Sequence, residues 1–231
     1  MGVIVLYTKI MQAVWYISTV DDGSMKSSNP DFKVTLPARR KFLEKNNIDI
    51  QNTTLVRLTY DGGDFCRYRT LHDGDKGDGM TRPTSYGSDA LVVTTPDHAL
   101  FLPLADCIGA VIHDPTQNIL MLSHLGRHNL EQYGGTKSIE YLAEKHGCNP
   151  ANLTVWLSPA AGKSSYPLYA FDNRSLHDVA TEQLQAAGIP ATNITVSPTD
   201  SATDPNYFSH SQFLAGTRHN DGRHAVVAVI R

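Results

Sequence analysis

LADCIGAVIHDPTQNILMLSHLGRHN, residues 104–129, is the stretch that decides the fold. Two apolar runs, 108–112 and 119–123, flank Asp114-Pro115-Thr116-Gln117-Asn118. Pro, Asn and Asp between apolar runs are turn formers, so the stretch reads as a β-hairpin. Cys107 stands just before the first strand and His124 just after the second. Residues at the open ends of an antiparallel hairpin lie side by side, so this thiol and imidazole should be neighbours. Such a pair is half of a metal site, a nucleophile with its base, or a buried cysteine beside a capping histidine.

Outward from the hairpin, the chain reads as alternating short strands and a few helices. Strands are expected at 14–19, 54–60, 65–71, 90–95, 154–157, 194–197 and 224–230, with 99–103 leading into the hairpin. The apolar opening, residues 1–17, reads as strand material. It carries Lys9, lacks a basic start and has no small-residue cleavage site, so it does not read as a signal peptide. Pro37 should open a helix over 37–47, since proline suits a first turn. A long helix is expected at 130–146, stopped by Gly147, and another at 174–187, capped by Asp172 or Asn173. The segment 203–213 suggests a short helix. Residues 72–88 carry Gly and Asp with no apolar period and read as a long loop. The spacing of Asp73, Asp75 and Asp78 resembles a calcium loop but lacks the closing glutamate. Strands outnumbering helices, with helices between some of them, indicate an α/β layered domain of mixed sheets spanning residues 1–231.

Composition narrows the function. The chain has 231 residues, enough for a sizeable core, and a net charge of -3, which implies neither nucleic acid nor an anionic membrane as partner. Its three cysteines, Cys66, Cys107 and Cys148, lack CxxC spacing and form no disulfide framework, which points to a reducing cytoplasm. No run approaches the roughly 18 apolar residues of a membrane-spanning helix.

Ala105-Asp106-Cys107 and Ser123-His124-Leu125-Gly126 resemble the TADC and AHAGWRG signatures of the laccase-domain family, also called multicopper polyphenol oxidoreductase or purine nucleoside phosphorylase-type. Further segments fall in the family's order. Residues 89–94 (DALVVT) resemble its DALVT strand and 157–162 (LSPAAG) its LGPAIG loop. Residues 171–174 (FDNR) resemble an FDLR helix start, Phe208-Ser209-His210 an FSYR segment, and Gly222-Arg223 a TGR segment. The resemblance implies a compact α/β/β/α sandwich, similar also to cysteine-hydrolase toxins. It also implies a zinc ion held by two histidines and one cysteine, with one position open.

By that resemblance Cys107 and His124 are two zinc ligands. Asp61 stands where the family's third ligand, a histidine, is expected; a carboxylate is a competent zinc ligand. His72, after the next strand, is the other candidate. The family's Trp-Arg-Gly becomes Arg127-His128-Asn129, its Cys-Cys pair becomes Ser164-Ser165, and its late arginines become Ser211 and Gln212. Arg127 and His128 beside the site, and Lys163 from a facing loop, are the remaining candidates to bind phosphate or ribose. The implied activity is phosphorolysis or deamination of purine nucleosides, with zinc activating water or polarising the substrate. Two other readings stand beside it. One is a cysteine hydrolase acting on an amide of a peptidoglycan precursor, with Cys107 as nucleophile and His124 as base. The other is a fold retained for ligand binding alone. Laccase chemistry ranks last, because the ten histidines are scattered with no HxH pair to build a copper cluster.

Overall fold

The computed structural model describes residues 12–26, 32–84 and 86–231. Two mixed sheets stack face to face. Strands β1 (Ala13–Ile17), β2 (Thr53–Leu55), β5 (Ala99–Leu104) and β10 (His224–Ile230) form a four-stranded sheet in the order β1-β10-β5-β2. Strands β3 (Tyr68–Thr70), β4 (Ala90–Val93), β6 (Ile108–Asp114), β7 (Ile119–Leu125), β8 (Thr154–Leu157) and β9 (Ile194–Val196) form a six-stranded sheet in the order β3-β4-β7-β6-β8-β9. The helices are α1 (Phe32–Lys45), α2 (Arg127–Glu131), α3 (Gly134–His146), α4 (Leu176–Ala186) and α5 (His210–Leu214).

Three apolar layers hold the stack. Between the sheets, Val111, Leu120 and Leu122 meet Leu100, Leu102 and Val226. On the outer face of the larger sheet, Ile112 and Met121 pack under Ile139, Leu142, Val179 and Leu184 of α3 and α4. On the outer face of the smaller sheet, Phe42 and Leu43 of α1 cover Phe101, Val227 and Val229. This is the expected α/β/β/α sandwich. Because both faces of β6 and β7 are covered, these strands read as unbroken apolar runs rather than alternating ones. Successive side chains nevertheless serve different layers, Ile112 and Met121 outward and Val111 and Leu122 inward.

Several element boundaries differ from expectation. His124 lies inside β7, not after it, so it is fixed by the ladder, paired across from Gly109. The strands expected over 54–60 and 65–71 shrink to three residues each. Helix α1 begins five residues before Pro37, which therefore sits within it. Residues 1–11, the greater part of the expected N-terminal strand material, lie outside the described residues. The single helix expected over 130–146 is two. Tyr133 adopts a left-handed φ of 60°, and at Gly134 a side chain would overlap the buried Asn129. Ser175, rather than Asp172 or Asn173, caps α4, accepting a hydrogen bond from the Asp178 N–H. The described part of the loop expected over 72–88 is tied down by charged pairs, one of them with Arg69 of β3. Asp75 pairs with Arg69 and accepts from the His72 N–H, Asp78 pairs with Arg82, and Arg69 lies over the Tyr86 ring at 3.6 Å. No helix among the described residues is long and apolar enough to cross a membrane.

Candidate functional site

Where the inter-sheet core ends, the chain turns polar. Counting back from Val111, Gly109 and Cys107 share its side of β6; counting on from Leu122, His124 shares its side of β7. Gly109 has no side chain for a physical reason: a Cβ there would lie 2.9 Å from Val226 Cγ2, pushing β10 away. Gly126 plays the same part for the reactive groups. A Cβ on it would meet Cys107 Sγ at 2.9 Å and His124 Nε2 at 2.9 Å, so the sulfur and the ring nitrogen converge on the space that glycine leaves. The expected neighbours are therefore brought together.

Burial sets their charge. Desolvation pushes the Cys107 thiol up to about 12, with the Asp106 carboxylate adding to it. An N–H bond from Arg127 and the Arg223 and Arg127 charges pull the other way but do not win. Desolvation likewise brings His124 down to about 4. At neutral pH the pair rests as thiol and uncharged imidazole.

The pair lies at one side of a cavity of about 420 Å³. Its walls combine aromatic rings (Tyr60, Phe65, Tyr166) with Arg127, Arg223, His128 and His210. Phe65 and His128 stack with centroids 4.8 Å apart. Asp89 also lines it, but its carboxylate is already engaged by the Arg67 guanidinium, at 2.7 Å from Nε, and its carbonyl accepts the His124 N–H. Asp106 adopts a left-handed φ of 73°, which turns the chain just before Cys107. Its buried carboxylate accepts the Ser209 hydroxyl and the Ser211 N–H, both at 2.6 Å, and so ties the His210 segment to the Cys107 turn.

Of the residues singled out from sequence, Cys107, His124, Arg127 and His128 line this cavity. Asp61, His72 and Lys163 do not, and all three are exposed. Asp61 is a turn residue whose carboxylate is held below its ordinary range by its own N–H and the Thr59 hydroxyl. Among the described residues, no three of His, Cys, Asp and Glu gather so as to hold a metal ion. Catalytic zinc sites take three protein ligands. Cys107 and His124 make only two, so the donor set does not fit the implied zinc ion, and no chemical step is routed through one. His210, Arg223, Tyr60, Phe65 and Tyr166 are cavity residues that sequence reading did not assign. The first two sit in segments matching the family's order, which was the available signal.

The family model for multi-copper polyphenol oxidoreductase laccases matches residues 50–174. No curated protein matches the chain. Among solved structures, the fold is similar to that of hypothetical protein YfiH from Bacillus licheniformis, with TM-score 0.80 and 20% identity over 95% of this chain and 93% of that one. YlmD from Geobacillus stearothermophilus gives TM-score 0.81 at 19% identity, covering 95% and 92%. Neisseria meningitidis protein NMB0706, described as family-model DUF152, gives 0.70 at 14%, covering 94% of each chain. These likenesses carry the fold, while the matched segment covers more than half of the 231 residues and holds Cys107 and His124. The chain belongs to the multi-copper polyphenol oxidoreductase laccase family.

Proposed function

We propose that this chain is an enzyme that cleaves purine nucleosides with phosphate, in the cavity beside Cys107 and His124. The observation that carries the reading is the composition of that cavity: three aromatic rings, two arginines, and an uncharged thiol–imidazole pair in its lining. Its volume of about 420 Å³ suits a ligand of nucleoside size. A purine stacks on aromatic faces whatever its substituents, at roughly 1–3 kcal/mol per base. Arg127 and Arg223 supply charge for phosphate, which a guanidinium matches with paired N–H donors. Phosphate brings its own nucleophilic oxygen, so this reaction needs no ion to activate water. That oxygen bonds to C1′ of the ribose as the C1′–N9 bond breaks. The purine leaves with the electron pair and takes up the proton that the attacking hydrogen phosphate gives up, and ribose 1-phosphate is the second product. His124, held neutral, has one ring N–H to donate as a hydrogen bond to the departing base.

Deamination of adenosine needs a water made strongly nucleophilic, for which the site's two donors are a poor metal set. Thiol hydrolysis needs Cys107 to pass its proton to His124, and burial opposes both resulting charges.

The test is chromatography of inosine incubated with the purified chain, with and without phosphate. Phosphate-dependent release of hypoxanthine is the expected result. No release under either condition overturns the proposal, and release that ignores phosphate replaces phosphorolysis by hydrolysis.

A further inference from the structure

Asp221, in the loop entering β10, is the meeting point of Lys26, His210 and Arg223, side chains from three parts of the chain. Its Oδ1 accepts from His210 Nδ1 at 2.8 Å and from Arg223 Nη1 at 2.7 Å, and its Oδ2 accepts from Lys26 Nζ at 2.6 Å. Two of these partners, His210 and Arg223, line the cavity; Asp221 and Lys26 do not. The frame around the carboxylate is fixed independently. The Met25 N–H donates to the Arg223 carbonyl, the Arg223 N–H donates to Ser24 Oγ, and the buried Arg39 guanidinium donates to the carbonyls of Met25 and Lys26. On its other side the His210 segment is pinned by Asp106 through Ser209 and Ser211. His210 is thus held from two directions at the cavity wall.

A histidine whose Nδ1 faces a carboxylate keeps its proton there, and the hydrogen bond on one ring nitrogen decides the state of the other. We infer that Asp221 is a positioning residue: it fixes His210 as the Nδ1–H tautomer, leaving Nε2 as a proton acceptor for the cavity, and holds Arg223 beside it. The group this arrangement receives is a hydroxyl or protonated phosphate oxygen next to a negative charge. Nε2 accepts the O–H while Arg223 answers the charge. Lys26 completes the charge balance around the carboxylate from outside the cavity. The inference rests on the phosphorolysis reading only for its consequences in turnover; the tautomer itself does not depend on it.

Nitrogen-15 spectra of the full chain labelled at histidine, recorded at a pH above the imidazole titration range, read the tautomer directly, with His210→Gln giving the assignment. The expected spectrum has His210 protonated at Nδ1 and unprotonated at Nε2, and Asp221→Ala shifts it toward the Nε2–H form while Asp221→Glu restores it. A wild-type His210 protonated at Nε2 overturns the inference, and that result stands even if Asp221→Ala fails to fold. So does an Asp221→Ala spectrum identical to wild type. If the wild type releases base from inosine, Asp221→Ala and His210→Gln each lower kcat/KM by roughly 10- to 100-fold. The double variant falls no further than either alone. Undiminished release by Asp221→Ala overturns the inference. A wild type that releases no base overturns the phosphorolysis reading alone, and the spectra then decide the inference.

Discussion

Cys107 and His124 converge on a single point above Gly126, where an added Cβ would stand 2.9 Å from the sulfur and 2.7 Å from His124 Cε1. Neither neighbour is the far end of a flexible chain, since one is a half-buried thiol a single carbon from its backbone and the other a ring on β7. Gly126→Ala must therefore displace the pair. The expected result is a stability loss of about 1–3 kcal/mol, the usual range for overpacking, with turnover reduced far more than stability. Urea unfolding and the inosine assay measure the two. An alanine variant with wild-type turnover would show that the pair's spacing does not matter.

The two-donor site carries a statement about metal content. Zinc in the chain purified from zinc-replete cells is expected well below one ion per chain, and chelator should leave base release unchanged. Elemental analysis settles the first point and the assay the second. One tightly held ion per chain, lost in Cys107→Ala, would mean that a ligand outside the gathered residues completes the set.

Three of the four buried histidines, those that burial lowers furthest, set a pH window for stability. Burial brings His98 and His124 down to about 4 and His224 to about 3, against an ordinary 6.5. As the pH falls through 6.5 the unfolded chain takes up these protons and the folded chain does not, so the unfolded state is favoured. Stability is expected to be level above this window and to fall as the pH drops from 6.5 toward 4, on the order of 3 kcal/mol per histidine. The carboxylate of Asp221 is held far below its usual range: burial works against the charge, but hydrogen bonds from Lys26, Arg223 and His210 outweigh it. Its contribution is present above the ordinary carboxylate value and is lost only at lower pH. Urea midpoints across the interval read the slope, and a flat profile between pH 6.5 and 4 would refute it.

Arg67 grips Asp89 with Nε at 2.7 Å and Nη2 at 3.2 Å, and also donates to Thr59. Asp89 is buried, so Arg67→Leu leaves a carboxylate without its partner beside the cavity. Breaking a buried pair typically destabilises by about 3–5 kcal/mol, and since Arg67 is a quarter exposed the expected loss is nearer 2–3 kcal/mol. Denaturant unfolding gives the number. The double variant Arg67→Leu/Asp89→Leu should recover part of it, and no recovery would assign the loss to packing.

Much of this was legible in the chain. The hairpin placed Cys107 beside His124 because turn residues at 114–118 and apolar runs on both sides fix the register, and β10 matched its expected bounds. What was illegible depended on long-range contacts. The helix break at Tyr133 comes from Asn129 filling the space over Gly134, which local propensity cannot see. The expected continuation of β2 to residue 60 fails because the last ladder bond to β5 is the Val56 N–H to the Phe101 carbonyl. Asp61 was placed by register against a family pattern, yet a DGG turn carries its side chain to solvent. His210 and Arg223 are not legible as cavity residues because the walls they share with Cys107 and His124 come together only on folding.

The most direct measurement of the proposed function is hypoxanthine release from inosine by the wild type and His124→Ala, side by side, with phosphate as the only variable. Phosphate-dependent release by the wild type, lost in a His124→Ala chain that still melts cooperatively, is the predicted result. Equal release by the two chains, or none by the wild type at any phosphate concentration, would contradict it.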